Sequence, residues 1–469
     1  MPFCQARVVL RWWLATYAAV LLTAGPVDAE SPAAVTPTAR AGADWPDFLG
    51  PGRRSKSPET GLLDAWPEQG PPIAWQAEMG AGYTAPAVSG GRLVHYGRFG
   101  NAARLTCRDA ATGQELWRTE HPTGYRDMLG YNNGPRSSPV IDGGVIDDGR
   151  VYTISPEGLL RCVTLATGEL VWEVDTAERY SVVKNFFGVG STPLVWGGLV
   201  IANIGGSPPG GPSDVYAARG RVQGAGTGVV AFDKATGEER WRATDELASY
   251  ASPTVVELGG RAWCFVFARG GLVALDPATG AVDFEFPWRS VKLESVNAAT
   301  PIVIDQAVFI SETYENGAAM VRFAGGGPEL VWTDQQRRRN QSLALHWNTP
   351  VYHDGTLYGS SGRHAGGAEL RAVDAATGAV RWTQPGLGRA SLLYADGKLI
   401  CLSEDGVLRL LDATPDAYRL ISQHKPVDGR GRRLLRGDAW VAPVLSRGLL
   451  YVRGKDRLVC LDLADGTGR

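Results

Sequence analysis

Short runs of alternating apolar and polar residues recur along this chain, and many of them meet at the same kind of turn. The clearest copies are Cys107 to Trp117, Ala231 to Trp241 and Ala372 to Trp382, each with an early Asp, a central Thr-Gly and a final Trp. Gly provides the positive φ that a tight turn needs, and the Asp side chain accepts hydrogen bonds from turn amides. Each copy therefore predicts two antiparallel strands joined by a tight turn.

The turn motif recurs often enough to predict the architecture of the chain. Weaker copies lie at 162–172 and 274–284, degenerate ones at 322–332 and 410–420, and an eighth begins at Cys460. The intervals between copies are roughly 40 to 70 residues, which includes the period of a four-stranded propeller blade. The pattern predicts an all-β fold, an eight-bladed β-propeller of four-stranded antiparallel blades.

One aromatic side chain per blade is expected to hold that blade against its neighbour, because burying a Trp side chain removes a large apolar area from water. The eighth copy reaches Arg469 before its Trp, and an open strand edge at that seam would favour aggregation. We expect an N-terminal strand near residues 72–77 to complete the last blade. The predicted docking residues are Trp75, Trp117, Trp172, Trp241, Phe284, Trp332 and Trp382.

A Pro in a small-residue context precedes most copies and opens what we predict to be the innermost strand of each blade. Residues just before these prolines should line one mouth of the central channel, where connections from all blades converge. They are Tyr83, Arg136, Tyr250, Asn297, Trp347, Asn348 and Trp440, with Asn185 added from a nearby connection. Such side chains suit a peptide, a sugar or a flat ring. The alternative is that they pack against one another and only fill the channel.

The composition and the N-terminal segment indicate where the protein is located in the cell and which classes of partner are unsupported. The 60 Gly, 29 Pro and 20% charged residues fit a turn-rich β protein, and a net charge of -2 gives no argument for nucleic-acid binding. Residues 1–29 join two arginines, an apolar run and a small-x-small site, which predicts a signal peptide; an uncleaved membrane anchor is the alternative. Cys4 precedes the apolar run, so no lipoprotein attachment is expected.

These features predict a periplasmic or extracellular protein without a membrane span, and we expect a monomer. Residues 30–43, rich in Ala, Pro and Thr, are predicted to be a disordered leader. Residues 44–469 are predicted to form a single propeller domain.

The motif seen best at 107–117, 231–241 and 372–382 resembles the tryptophan-docking repeat of the PQQ-like (pyrroloquinoline-quinone) eight-bladed propellers. That superfamily includes quinoprotein alcohol dehydrogenases and the outer-membrane assembly scaffold BamB. The resemblance implies two functions. One is a non-catalytic binding or scaffolding protein of the cell envelope that engages a protein, peptide or glycan. The alternative is a PQQ- and calcium-dependent alcohol or sugar dehydrogenase.

The enzyme alternative has requirements that the sequence can be checked against. The family's methanol-dehydrogenase-type sites carry two adjacent cysteines, and no two Cys are adjacent here. Calcium needs oxygen ligands, and the reaction needs a general base. Glu294, Asn297 and Glu312 are candidates, but their spacing matches no motif of the family. We therefore expect no catalytic residue, no metal and no cofactor, and we expect PQQ and calcium only under the alternative.

Overall fold

A computed structural model describes residues 40–144, 148–218, 222–323, 327–337 and 340–464, all within the compact unit Pro37–Arg469. The predicted signal peptide at 1–29 lies outside the described residues, as does most of the predicted leader. Arg40, at the end of that leader, forms an ion pair of 3.0 Å with Asp462. The predicted domain boundaries stay predictions.

In the described part of the chain, thirty-two strands form eight antiparallel sheets of four strands each, which confirms the predicted fold. Blade 1 contains β2 (Ala87–Ser89), β3 (Arg92–Phe99), β4 (Ala102–Asp109) and β5 (Glu115–Pro122). Blade 2 contains β6 (Val140–Asp142), β7 (Arg150–Ile154), β8 (Leu159–Thr164) and β9 (Leu170–Asp175). Blade 3 contains β10 (Leu194–Trp196), β11 (Leu199–Asn203), β12 (Val229–Asp233) and β13 (Glu239–Ala243). Blade 4 contains β14 (Thr254–Leu258), β15 (Arg261–Phe267), β16 (Gly271–Leu275) and β17 (Val282–Pro287).

The remaining blades repeat the same order from the innermost strand outward. Blade 5 contains β18 (Ile302–Ile304), β19 (Ala307–Glu312), β20 (Gly317–Arg322) and β21 (Glu329–Thr333). Blade 6 contains β22 (Val351–His353), β23 (Thr356–Ser361), β24 (Glu369–Asp374) and β25 (Val380–Pro385). Blade 7 contains β26 (Ala390–Ala395), β27 (Lys398–Ser403), β28 (Leu408–Asp412) and β29 (Leu420–His424). Blade 8 contains β30 (Val444–Ser446), β31 (Leu449–Arg453), β32 (Arg457–Asp462) and, as its outermost strand, β1 (Ile73–Glu78).

The ring closes where the sequence predicts it. Strand β1 pairs antiparallel with β32, and Trp75 lies opposite Cys460 in the register. Cys107 lies opposite Trp117 and Cys162 opposite Trp172, so Trp75 takes the place of the eighth repeat's missing Trp. Closure pairs a strand edge that would otherwise be open to other chains.

The docking tryptophans share one contact, which each makes with the motif turn of the next blade. Each indole N–H donates to a backbone carbonyl in the motif turn of the next blade. The donor and acceptor pairs are Trp75–Ala110 (2.9 Å), Trp117–Leu165 (2.9 Å), Trp172–Lys234 (3.1 Å), Trp241–Pro277 (3.1 Å), Trp332–Ala375 (2.9 Å) and Trp382–Thr414 (3.0 Å). Phe284, which has no N–H, is buried at the equivalent position of blade 4.

The Gly of the motif is needed for space as well as for its conformation. At Gly113 φ is +74°, and a Cβ would lie 2.6 Å from the indole of Trp75. The indole can therefore lie flat on the turn only where the turn has no side chain.

Blade 7 departs from the repeat, because the register places Ser422 opposite Leu410, where the other blades carry Trp or, in blade 4, Phe284. A tryptophan from outside the repeat lies here. Trp66 is buried in the apolar cluster that contains Leu410 of blade 7 and Leu461 of blade 8, and its backbone N–H donates to the Ser422 hydroxyl at 3.0 Å. The sequence analysis did not anticipate this substitution.

The connections divide unequally between the two faces of the ring. Because strands within a blade are antiparallel, the turns between first and second strands and between third and fourth strands share one face. The other face, called the mouth face here, carries the connections between blades and those between second and third strands. The long segments 123–139 and 176–193 are on the mouth face, as are residues 204–218 and 222–228.

Helical structure is sparse and lies in the connections. Among the described residues it includes α1 (Thr176–Tyr180), after the last strand of blade 2, and the 3-10 turns Pro51–Arg53 and Ala365–Gly367. Within the described ranges, no helix has the length and apolar character needed to cross a membrane.

Candidate functional site

The central channel is crossed by residues 44–57, called the plug segment here. Trp45 exchanges two backbone hydrogen bonds of 2.8 Å with Val88 in the first strand of blade 1. At the other end, Ser55 accepts from the N–H of Tyr394 in the first strand of blade 7 at 2.8 Å. First strands line the axis, so the plug segment lies inside the ring. The sequence analysis left open whether the channel is filled; this segment fills it.

Arg53 holds the middle of the plug segment in place. Its side chain is 2% exposed and forms an ion pair with Asp47 of the same segment at 2.8 Å. Its remaining N–H groups donate to the carbonyls of Thr192 (3.2 Å), Pro193 and Pro253 (2.7 Å), where blades 3 and 4 begin. A buried guanidinium needs such partners, because an unpaired buried charge is costly.

A cavity of about 330 Å³, called the mouth cavity here, lies between the plug segment and the mouth face. Phe48 and Leu49 of the plug segment form part of its lining. Six of the eight residues predicted for the mouth line it together, although they are far apart in the sequence: Tyr83, Arg136, Tyr250, Trp347, Asn348 and Trp440.

The structure does not bring the other two predicted residues into this lining. Asn185 donates to the carbonyl of Ala248 at 3.0 Å, and its side-chain oxygen accepts from Arg269. Asn297 donates to the carbonyl of Ala268 at 2.7 Å and is buried. Both amides link one mouth-face connection to another, which is a structural role that the position before a proline does not reveal.

Aromatic side chains form a continuous belt around the mouth cavity. The ring centroid of Trp440 lies 5.0 Å from that of Tyr83 and 5.1 Å from that of Trp347. Tyr131, more than half exposed, lies 6.0 Å from Trp440 and 5.9 Å from Phe187, so it spans the outer side of the belt. The predicted residues thus do pack against one another, yet they leave space that the plug segment closes from below.

Arg136 is held rigidly within the belt. Its guanidinium lies 4.7 Å from the ring centroid of Phe187 and 5.5 Å from that of Tyr83. It also forms an ion pair of 2.8 Å with Asp127, whose side chain is fully buried. Stacking and pairing together orient both neighbouring aromatic side chains.

Arg389 has the same role on the far side of the cavity. Its guanidinium lies 4.3 Å from the ring centroid of Trp347 and 5.2 Å from that of Trp440. Its Nε donates to both carboxylate oxygens of Glu404, at 3.0 and 3.1 Å, and the indole N–H of Trp440 donates to the same carboxylate at 3.1 Å. Burial alone would raise the pKa of Glu404, but these hydrogen bonds outweigh it and keep that pKa below its usual value.

His346 lies beside this cluster and is neutral. Burial, together with the positive charges of Arg389 and Arg363, lowers the pKa of His346 to about 3. Arg389 can only donate, so Nδ1, 3.3 Å away, accepts, and Nε2 carries the proton that faces the Tyr314 hydroxyl at 3.2 Å. Adding a second proton would place a cation against a guanidinium.

The residues proposed for calcium under the enzyme alternative are engaged elsewhere. Glu294 lines the mouth cavity with its carboxylate 3.8 Å from Arg363, whereas the amide of Asn297 bonds the backbone. Glu312 accepts from two backbone N–H groups of the turn that follows it, and burial raises its pKa to about 7. These three side chains therefore do not form the oxygen cage that calcium requires. Among the described residues, no three His, Cys, Asp or Glu side chains are placed to hold a metal ion.

The sequence analysis missed several residues that line the mouth cavity, and the position of one of them in the sequence could have identified it. Arg389 directly precedes the first strand of blade 7, the position that the mouth rule selects, but blade 7 lacks the marker proline. Tyr131 and Phe187 lie in long connections with no periodic pattern. Phe48 and Leu49 lie before the repeat begins, and their position in the channel depends on contacts with distant blades.

A family model described as "Outer membrane protein assembly factor BamB" matches residues 101–358 and 328–417, together more than half of the chain. The outer membrane protein assembly factor BamB of Burkholderia pseudomallei is 25% identical over 236 residues, 48% of this chain and 49% of that protein, so the match spans about half of that relative.

Solved structures agree with the fold. BamB from Moraxella catarrhalis matches with a TM-score of 0.53 and 15% identity, over 83% of this chain and 96% of that one. The quinohemoprotein alcohol dehydrogenase of Comamonas testosteroni matches with a TM-score of 0.60 and 14% identity, over 91% and 81%. At these identities the likeness shows a common fold and does not assign a function.

Proposed function

The chain belongs to the family described as outer membrane protein assembly factor BamB, and from this membership we propose that it is an exported, non-catalytic binding or scaffolding protein of the cell envelope. The observation that carries the proposal is the mouth cavity, in which connections from many blades present aromatic and arginine side chains around one shared space. Tyr, Trp and Arg are the residues that dominate binding energy at protein interfaces.

The way the charged groups are used supports binding over chemistry. Arg136 and Arg389 are each paired with a carboxylate and stacked on aromatic side chains. A general base must have a free lone pair within reach of the substrate proton. The Glu404 carboxylate instead accepts from four donors, which are the backbone N–H, Nε and Nη2 of Arg389 and the indole N–H of Trp440. These groups keep the lining rigid, and rigidity lowers the entropic cost of binding.

Site-specific photo-crosslinking in the envelope of the expressing cell tests the proposal. A photoreactive residue at Leu129, half-exposed beside the mouth cavity, should form a discrete crosslinked species. The matched control is Leu420, 45% exposed on the outermost strand of blade 7 and away from the mouth face. Equal crosslinking at both positions, or none at Leu129, would contradict a binding role for the mouth.

A second measurement addresses the enzyme alternative. The purified protein, incubated with PQQ and calcium and then desalted, should retain no quinone absorbance and should not reduce a dye in the presence of alcohols. Retention of PQQ together with alcohol-dependent dye reduction would overturn the non-catalytic assignment.

A further inference from the structure

The mouth cavity has properties that narrow the chemistry of its ligand. Resting on the proposed binding function, we infer that the cavity takes one uncharged aromatic or aliphatic side chain from an extended segment of a partner polypeptide. The inference follows from the charges, the hydrogen bonds, the surrounding surface and the size of the cavity.

The charges of the cavity compensate one another. Three arginines lie around it, and each has a carboxylate within 4 Å; the pairs are Arg136–Asp127, Arg389–Glu404 and Arg363–Glu294. His346, also in the lining, is neutral for the reason given above. A charged ligand would lose its hydration without gaining an unpaired counter-charge, so the lining favours an uncharged group.

Several polar groups of the lining are satisfied by the protein itself, and the Trp347 indole N–H, which has no partner among the described residues, is buried out of reach of a ligand. The Tyr250 hydroxyl accepts from the N–H of Phe187 at 2.7 Å, and the Asn348 amide donates to the carbonyl of Ser360 at 2.9 Å. The Thr192 hydroxyl accepts from a backbone N–H of blade 2 at 3.0 Å. A sugar carries many hydroxyl groups that would enter without partners, which costs free energy. An apolar group has no such requirement.

Exposed apolar side chains lie on mouth-face connections that also contribute to the cavity lining. They come from three separate connections, and the set is Met128, Leu129, Tyr131, Tyr216, Val291 and Leu293. Leu129, Tyr131 and Tyr216 also line the cavity, so this part of the apolar rim is continuous with it. Large apolar patches around a pocket mark interaction surfaces, and a patch wider than the cavity suits a chain that continues on both sides of an inserted group.

The size of the cavity sets the scale of the inserted group. A volume of about 330 Å³ is at the low end of the ligand-pocket range of roughly 300 to 1,000 Å³. Together with the closed floor at Phe48 and Leu49, it suits a single large side chain rather than a folded element. The partner is therefore an extended segment with one anchor, and its neighbouring residues cover the rim.

Calorimetric titration of the full chain with blocked five-residue peptides tests this inference. The peptides differ only at the central position, which is Trp, Leu, Ser or Glu within glycines. We expect the Trp and Leu peptides to bind at least tenfold more tightly than the Ser and Glu peptides. Maltoheptaose, as a neutral oligosaccharide, should not compete.

A cavity-filling variant shows whether the peptides occupy this site. Ala298 lines the cavity and is only half-buried, so Ala298→Trp fills the space without removing a hydrogen-bonding side chain. Its matched control is Ala235→Trp, at an exposed turn of blade 3 on the face opposite the mouth. Ala298→Trp should abolish binding of the Trp peptide, whereas Ala235→Trp should leave it within twofold; melting temperatures report folding of both.

Three results would overturn the inference: tighter binding of the Glu peptide, competition by maltoheptaose, or unchanged binding to a folded Ala298→Trp variant. If crosslinking at Leu129 succeeds while any of these occurs, the proposed binding function stands and only the assigned ligand chemistry is wrong. If crosslinking at Leu129 fails, the proposed function itself is contradicted.

Discussion

Replacing Trp75 with Ala should weaken the seam of the propeller more than the loss of one ordinary surface residue. Trp75 is 8% exposed, lies on Gly113, and has its ring centroid 5.8 Å from that of Tyr451. Truncating a buried Trp to Ala costs about 3 to 5 kcal/mol of unfolding free energy. The lost hydrogen bond adds little, because the Ala110 carbonyl also accepts from the Tyr451 hydroxyl at 2.9 Å and stays satisfied.

The measurement is urea unfolding followed by far-UV circular dichroism, since 15 tryptophans make fluorescence ambiguous. Trp382→Ala is the matched control: it donates the equivalent hydrogen bond to Thr414 at 3.0 Å, but it is only half-buried and lies between two blades that are continuous in the chain. We expect a larger fall in stability for Trp75→Ala than for Trp382→Ala, and faster tryptic cleavage near the N-terminus. A loss below about 1 kcal/mol would refute the reasoning, because the residue could not then be holding blade 8 to blade 1.

Three further outcomes are expected. Arg53→Met should lower the unfolding free energy by about 3 to 5 kcal/mol, because the Asp47 carboxylate loses its ion-pair partner and three buried carbonyls lose their donor. Arg240→Met, at an exposed ion pair, should cost about 0 to 1 kcal/mol, and equal costs in urea unfolding would contradict the role of the plug segment. Burial and two arginines lower the pKa of His346 to about 3 in the folded chain, whereas it is about 6.5 in the unfolded chain, so only the unfolded chain gains a proton between these pH values and stability should fall as pH drops from about 6.5 towards 3. His346→Gln should reduce the slope of unfolding free energy against pH by up to about 1.4 kcal/mol per pH unit, and parallel curves for variant and parent would exclude this role of His346. The described cysteines are unpaired, and burial raises the pKa of each; they are Cys107, Cys162, Cys264, Cys401 and Cys460. Thiol titration with a disulfide reagent at pH 8 should therefore show almost no reaction of the folded protein and full reaction in denaturant, and rapid labelling of the native protein would argue against their burial.

Much of the fold was predictable because the repeat encodes local chemistry. Asp109 accepts from two amides of its own turn, and Gly113 has the required positive φ, so the strand-turn-strand unit is determined within about ten residues. Counting these units predicted eight blades and closure by Trp75, and both are confirmed. The packing of blade 7 could not be predicted in this way, because Trp66 lies far along the chain from Ser422, which it contacts.

The mouth was predictable only where the repeat extends to it. Six predicted residues line one cavity because each precedes a first strand, and all first strands begin on the same face. Asn185 and Asn297 satisfied similar criteria but bond the backbone, a choice made by which carbonyl lies nearest in the folded chain. Arg389 was missed because its blade lacks the marker proline.

The sequence by itself determined the blade, the number of blades and the residue that closes the ring, because these follow from turn chemistry, periodicity and counting. Only the tertiary structure decided what fills the channel and what surrounds the remaining space. Arg53 bonds carbonyls 139 to 200 residues away, and the aromatic belt joins side chains from connections of different blades. Such contacts depend on where distant segments meet in space, and no local pattern of polar and apolar residues records that meeting.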